Sequence, residues 1–316
     1  MPGSIITVKG RIESGELGFC QPHEHLFTAA GPWLDVNPAL LIDDKDKSLA
    51  DAIAYARAGG SAVVDAQPVF IGRDARALKY ISEASGVHII ASTGFHNLFY
   101  YEGGHPLPGL SEAELAELFI SEILDGMYAE THYTSEPVRT DIQAGQIKAA
   151  LETDFTGIHK KLFTAVAEAS KQTGVPVMIH VDRDADPLMI LDFMTGLGVA
   201  PSKQIFCHLD RAIGDVSVHK KVAGAGAFIE YDTIARPKYH DNETEIELIL
   251  MMLDAGFEDY MLMAMDTTRA RMSGYGGKPG LDYILREFIP ELAKRGVDKK
   301  TIGKVFIDNP VMAYSV

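Results

Sequence analysis

The sequence predicts an α/β protein, a single (β/α)8 TIM barrel over residues 1–316, and three observations favour this fold. The chain has 316 residues, a length that suits one large α/β barrel. Eight short apolar runs alternate with segments of helical periodicity. These runs are continuous, as in parallel strands that are covered on both faces. An open doubly wound sheet is the alternative, but no Gly-x-Gly-x-x-Gly motif follows a predicted strand.

The predicted strands follow one another regularly along the chain. A short hairpin at residues 5–15 precedes the first barrel strand, and a helical tail at residues 297–316 follows the last helix. Runs of apolar residues between Gly, Pro and polar clusters favour barrel strands at residues 17–21, 61–65, 87–93, 147–151, 176–181, 205–209, 227–231 and 260–265.

Amphipathic segments predict the helices between these strands. Apolar residues from Leu49 to Ala56 recur at the spacing of one helix face, and Gly59 ends that helix. Ser111-x-x-Glu114 is a capping box that opens another helix, within a long insertion at residues 102–142. The remaining helical periodicity favours helices at residues 44–58, 73–84, 155–172, 187–195, 216–223, 243–254 and 281–295.

Composition and charge limit the kinds of molecule that the protein could bind and the compartment in which we expect it. The net charge of −15 argues against nucleic acid and anionic membrane surfaces, although a few local cations can still hold a small anion. Cys20 and Cys207 lie in strand-like runs, so we expect reduced core residues of a cytoplasmic protein. The N-terminus has no signal-peptide pattern, and no window approaches ~20 uninterrupted apolar residues.

Metal-ligand residue types recur at the predicted strand ends. His23 and His25 are two residues apart, which places both imidazoles on one face of a strand. That pair alone is also explained by two polar residues at a strand end. In a barrel, however, catalytic groups gather at the C-terminal ends of the strands. The candidates at this end are His23, His25, Lys148, His180, His208 and Asp266, and most of these are types that bind divalent cations.

Lys148 has two interpretations. An ammonium has no lone pair and cannot bind a metal, and burying it unpaired is costly. It could pair with an acid such as Asp266. Alternatively, burial and nearby cations favour the neutral amine, which can become a carbamate that bridges two metals.

A family resemblance rests on motifs distributed along almost the whole chain. The chain resembles the phosphotriesterase-like branch of the amidohydrolase superfamily. The similar motifs are His23-Glu-His25-Leu, Thr93-Gly-Phe, Gly145-Gln-Ile-Lys148-Ala, Pro176-Val-Met-Ile-His180, Cys207-His208-Leu-Asp210-Arg211, Met265-Asp266 and Asp308-Asn-Pro.

The resemblance implies a binuclear metal site. In it, His23, His25 and Asp266 bind the more buried ion, and His180 and His208 bind the more exposed one. A carboxylated Lys148 and a hydroxide would bridge the two ions. Zn is the default for the family, and Mn, Co or Fe fit the same ligands.

A hydrolytic mechanism follows from such a site. Two cations lower the pKa of a bridging water and supply hydroxide near neutral pH. Asp266 would take the proton from this hydroxide and pass it to the leaving group. Asp210 or Arg211 could orient neighbouring groups, or could form a structural salt bridge after the sixth strand.

Cations after the seventh and eighth strands predict a local anion site, since these loops commonly bind phosphate in barrels. Solvated cations pairing with Asp241 or Asp282 are the alternative. The arrangement resembles the subgroup that opens phosphorylated sugar lactones, which implies that Lys238, Arg269, Tyr275, Arg271 and Ser273 contact the substrate. The aromatic loop at residues 95–101 is either a pocket wall or an oligomer contact.

The leading hypothesis is a metal-dependent hydrolase that opens phosphorylated sugar lactones. The alternative is a lactonase for unphosphorylated or acylated lactones with promiscuous phosphotriesterase activity on organophosphates. A non-catalytic binding barrel that keeps the ligands is a third interpretation. We expect a small-molecule substrate and neither a nucleic-acid nor a membrane partner. The sequence leaves the oligomeric state open, although a homodimer is common among such barrels.

Overall fold

Eight parallel strands form the barrel, as predicted. The computed structural model describes residues 3–101 and 104–316. A hairpin of Ser4–Thr7 (β1) and Gly10–Glu13 (β2) pairs antiparallel before the barrel begins. The barrel strands are hydrogen-bonded in sequence order, and they are Cys20–Glu24 (β3), Ala62–Asp65 (β4), His88–Gly94 (β5), Gln146–Leu151 (β6), Val177–Val181 (β7), Gln204–Cys207 (β8), Phe228–Tyr231 (β9) and Met261–Met263 (β10).

The helices lie near their predicted positions. Asp44 caps the helix that Gly59 ends in a left-handed conformation, and the predicted Ser111–Glu114 capping box is present. The α-helices are Trp33–Val36 (α1), Lys45–Ala58 (α2), Ala75–Ser85 (α3), Glu112–Leu124 (α4), Gly157–Thr173 (α5), Pro187–Gly196 (α6), Leu209–Ala212 (α7), Val216–Gly224 (α8), Asn242–Asp254 (α9), Ile289–Lys294 (α10), Lys299–Gly303 (α11) and Asn309–Tyr314 (α12). Among the described residues, no helix is long and apolar enough to span a membrane.

The first and last barrel strands are joined by the side chain of Glu24. This buried carboxylate accepts hydrogen bonds from the backbone N–H groups of Met265 (3.0 Å) and Thr267 (3.1 Å). Beside it, Asp266 N donates to the carbonyl oxygen of His23 at 3.0 Å. Closure of the barrel therefore brings two of the predicted metal ligands together.

The two ends of the chain meet beneath the barrel. Ser4 and Val316 exchange two backbone hydrogen bonds of 3.2 and 2.9 Å. Tyr314 in α12 donates its hydroxyl to Gln146 Oε1 at 2.7 Å and packs in a cluster with Ile5 and Cys20. The predicted helical tail thus seals the face of the barrel where the strands begin.

The segment predicted as an insertion contains α4, a regular barrel helix, followed by irregular chain up to β6. A fully buried ion pair anchors this region, in which Arg73 makes two bonds of 2.7 and 2.9 Å to Glu122. Arg73 also donates to Ser92 O, and Glu122 accepts from Tyr128 N. The pair therefore ties the irregular segment to β5.

We expect Glu122→Gln to destabilise the protein by about 3–5 kcal/mol, because it leaves the Arg73 charge buried without a carboxylate. Urea denaturation followed by circular dichroism would measure the free energy of unfolding. Asp141→Asn is the matched control, since Asp141 forms an ion pair with Lys79 but is 83% exposed. If Glu122→Gln lowers the free energy of unfolding no more than this control does, the buried ion pair does not stabilise the region as described.

Candidate metal centre

The structure brings all six predicted metal ligands into one cavity at the C-terminal end of the barrel. Lining this cavity are His23, His25, Lys148, His180, His208 and Asp266. The ring centroids of His180 and His208 are 4.3 Å apart, and those of His23 and His208 are 4.9 Å apart. Lys148 differs from its predicted position at a strand end, because it is the third residue of β6 and lies deeper in the barrel.

Two buried acids fix the orientation of two of these histidines. His23 Nδ1 lies 2.6 Å from Glu230 Oε1, and His208 Nδ1 lies 2.6 Å from Asp232 Oδ1. A ring that donates from Nδ1 to a carboxylate presents the Nε2 lone pair on its other side. The sequence analysis missed both acids. A signal was present, because Glu230 and Asp232 are two residues apart at the end of an apolar run, as on one face of a strand.

His208 and Asp266 have left-handed backbones, with φ values of 69° and 47°. Such values are uncommon outside glycine and persist where surrounding contacts enforce them. His208 N donates to Asp232 Oδ2 at 2.9 Å, and Asp266 N is held by His23 O. Two of the five non-glycine residues with positive φ in the described chain are thus predicted ligands.

Lys148 is buried without an acidic partner among the residues that the structure describes. Its Nζ lies 3.3 Å from His23 Nε2, 3.2 Å from Met178 Sδ and 3.7 Å from Cys207 Sγ. The alternative of an ion pair with Asp266 is therefore wrong. Gly94 permits the close approach of β5, since a Cβ atom there would lie 2.0 Å from Lys148 O.

Asp266 faces two sets of partners. Its Oδ1 lies 3.4 Å from His25 Nε2 and 3.8 Å from His23 Nε2, whereas its Oδ2 bonds to Arg236 and, at 3.1 Å, to Arg211. Burial alone would raise the pKa of Asp266, but Arg236, His25 and Arg211 hold it well below its usual range. The carboxyl group is therefore ionised.

The side chains fit divalent metal ions. Donor atoms of His23, His25 and Asp266 lie within 4.8 Å of one another, and the buried His25 Nδ1 has no hydrogen-bond partner among the described residues. Burial lowers the pKa of His180 and His208 well below the usual range, so both rings offer lone pairs. When bound, such ions act as Lewis acids and activate water near neutral pH.

Cations surround one tyrosine at the mouth of the cavity. The Tyr239 ring centroid is 4.8 Å from the Arg211 guanidinium, 5.4 Å from that of Arg236 and 5.3 Å from Lys238 Nζ. All four residues line the cavity, together with Tyr100 of the aromatic loop. Of this group, only Lys238 was among the predicted substrate contacts.

The other four predicted substrate contacts do not line this cavity in the described part of the chain. Tyr275 bonds to the backbone of Asp44, and Arg271 donates to the carbonyl groups of Ile234 and Ala235. Ser273 N donates to Asp51, and Arg269 faces a separate surface depression. These contacts anchor the loop after β10, which corrects the predicted placement of Arg269, Arg271, Ser273 and Tyr275.

The sequence profile of the phosphotriesterase family matches residues 3–314. The chain belongs to the phosphotriesterase family. An N-acetyltaurine hydrolase from Mus musculus is 29% identical, over 98% of this chain and 97% of its own length. A solved lactonase from Listeria monocytogenes is 29% identical with a TM-score of 0.88, over 99% of both chains. A solved amidohydrolase from Mycoplasma synoviae is 26% identical with a TM-score of 0.95, over 99% of this chain and 92% of its own.

Family membership confirms the resemblance drawn from the motifs. The phosphotriesterase family depends on binuclear metal centres, and the His and Asp groups of this member could hold metal. Its relatives include hydrolases of ester and amide bonds. The chain is therefore a metal-dependent hydrolase of the same broad class.

Asp232→Asn should weaken metal binding about 10- to 100-fold, because His208 loses the carboxylate that orients its ring. Competition with a chromophoric chelator would measure the affinity. Glu243→Gln serves as the control, since Glu243 is exposed and pairs with Arg295. Equal metal affinities in Asp232→Asn and Glu243→Gln would show that Asp232 does not orient a metal ligand.

Proposed function

We propose that this enzyme is a metal-dependent lactonase whose preferred substrates are phosphorylated sugar lactones. The observation that carries the proposal is the group of three cations around Tyr239, beside the candidate ligands, in a protein of net charge −15. A cavity of about 210 Å³ suits a small substrate. A neutral, bulky phosphotriester would gain little from these cations.

The cavity offers different chemistry at its two ends. The candidate ligands lie at the floor, where the scissile carbonyl group would bind. Lys238 is exposed at the mouth and forms no salt bridge with a described residue, so its ammonium is available for an anionic group. A lactone with a phosphate at one end matches this separation.

Asp266 is the proposed proton acceptor. Its Oδ1 faces the histidines while Arg211 and Arg236 hold Oδ2, so one carboxylate can contact the reacting atoms and remain oriented. The proton taken from the attacking water would pass from Asp266 to the leaving alkoxide as the ring opens.

A carbamate on Lys148 and zinc as the metal are further parts of the proposal. The buried amine, surrounded by two sulfur atoms and an imidazole, has no counter-ion among the described residues, and carboxylation would turn it into a ligand that neutralises cationic charge. Mn, Co or Fe would fit the same nitrogen and oxygen donors.

An amidase for anionic N-acyl amines is the second candidate. The mouse relative is an N-acetyltaurine hydrolase, and the cations near Tyr239 would hold a sulfonate as they would a phosphate. Lactonase activity without a phosphate preference, with side activity on organophosphates, is a further outcome to be tested.

One kinetic screen separates these functions. Phosphorylated and unphosphorylated aldonolactones, N-acetyltaurine and a phosphotriester would be assayed with metal content measured on the same sample. We expect the highest kcat/KM on phosphorylated lactones. Equal rates on unphosphorylated lactones would overturn the phosphate preference, and the fastest turnover on N-acetyltaurine would favour the amidase.

Lys238→Ala should lower kcat/KM on phosphorylated lactones about 10- to 100-fold, because a charged contact with the phosphate is lost. The rate on unphosphorylated lactones should change little. Arg269→Ala is the matched control, because Arg269 lies on a different surface and should keep the preference. A preference that survives in Lys238→Ala places the phosphate elsewhere.

Metal reconstitution of the apoenzyme should require bicarbonate if Lys148 is carboxylated. We expect the two ions of the binuclear centre to bind tightly with bicarbonate present and markedly more weakly without it. The ¹³C NMR spectrum after labelled bicarbonate should show one carbamate signal that Lys148→Met lacks. Full metal loading in bicarbonate-free buffer would rule the carbamate out.

A further inference from the structure

Three ligand-type side chains converge outside the candidate binuclear centre. They are Asp210 in α7, His240 in the loop before α9, and Glu245 in the first turn of α9. One donor atom from each lies within 4.8 Å of the other two. None of the three lines the cavity that holds the predicted metal ligands.

Glu245 is buried without the partners that a carboxylate needs. Its side chain is 0% exposed, and neither oxygen has a hydrogen-bond partner among the described residues. His240 Nε2 lies 3.0 Å from Glu245 Oε2, but the two atoms are not aligned as a hydrogen bond. Burying an unsatisfied carboxylate is costly, so the group requires compensation.

Asp210 also has one buried oxygen without a hydrogen-bond partner in the described chain. Its Oδ2 accepts hydrogen bonds from the backbone N–H groups of Asp232 (3.0 Å) and Thr233 (2.7 Å). Its Oδ1 is buried and has no partner in the described chain. These bonds, with a third from the Thr233 hydroxyl to Oδ2, fix the Asp210 carboxylate near Glu245 and His240.

A cation and a proton are the two ways to relieve these buried charges. Burial, together with Asp210 and Asp232, raises the pKa of Glu245 well above its usual range. Two carboxylates and one imidazole are the ligand types of Zn²⁺, Mn²⁺ and Fe²⁺. Bonds of about 2.0–2.2 Å to one ion set adjacent ligand atoms roughly 3 Å apart, as the His240 and Glu245 atoms are.

We propose that Asp210, His240 and Glu245 bind a divalent metal ion at a third site, separate from the binuclear centre. This ion would tie α7 and α9 to the loop that connects β9 to α9. That loop, residues 233–241, carries the cavity residues Arg236, Lys238 and Tyr239. The third ion would therefore order the loop that carries two of the three cations proposed to bind the substrate anion.

Metal counting on the full chain tests the proposal. Wild type, Glu245→Gln and His240→Ala would be saturated with Co²⁺, freed of excess ion, and analysed for metal content and visible absorption. Wild type should hold about one more ion per chain than either variant and show additional absorption bands. Glu247→Gln is the control on the same helix, because Glu247 is 53% exposed and pairs with Arg295.

Glu245→Gln is nearly isosteric and removes only the charge. It therefore also tests the competing explanation, in which protons and not a metal ion relieve the buried charges. Equal metal content in wild type and this variant would overturn the proposal and show that the acids share protons only. Loss of more than one ion would overturn it as well, because the cluster would then act by positioning the ligands of the binuclear centre.

Discussion

The closure of the barrel between β3 and β10 is the constraint on which the site depends. Glu24 spans this junction with hydrogen bonds to two backbone N–H groups that flank Asp266, and Asp266 itself bonds to His23 O. The first and last strands therefore bring their predicted ligands to one point. Glu24, the Asp266–His23 backbone bond and the bond from His25 N to the Thr267 hydroxyl together bring His25 and Asp266, which are far apart in sequence, to 3.4 Å.

Two of the predicted ligands, His23 and His208, are each held by a buried acid. Glu230 orients His23, and Asp232 orients His208 through both its backbone and its ring. Asp210 in turn holds the backbone of Asp232. These acids repel one another in a low-dielectric interior, so the cations and protons around them determine how stable the top of the barrel is.

The sequence predicted the barrel and the positions of its strands because those features depend on local apolar runs and on parallel geometry. His180 and His208 could be grouped with His23 because parallel strands end at one face. The supporting acids were missed, since pairing Glu230 with His23 depends on the register between distant strands. The loop after β10 was misplaced for a similar reason: Tyr275 and Ser273 are fixed by Asp44 and Asp51, which no local pattern connects to them.

In the proposed mechanism, the two sets of contacts on Asp266 would make the strength of this base depend on the bound ligand. While Arg236 and Arg211 contact Oδ2, they keep the pKa of Asp266 low, so the carboxylate accepts a proton poorly. A substrate anion that drew Arg236 toward itself would weaken that contact and raise the basicity of Asp266. Proton transfer would then be switched on by the charge at the far end of the substrate, so that a bound molecule without that charge meets a weaker base.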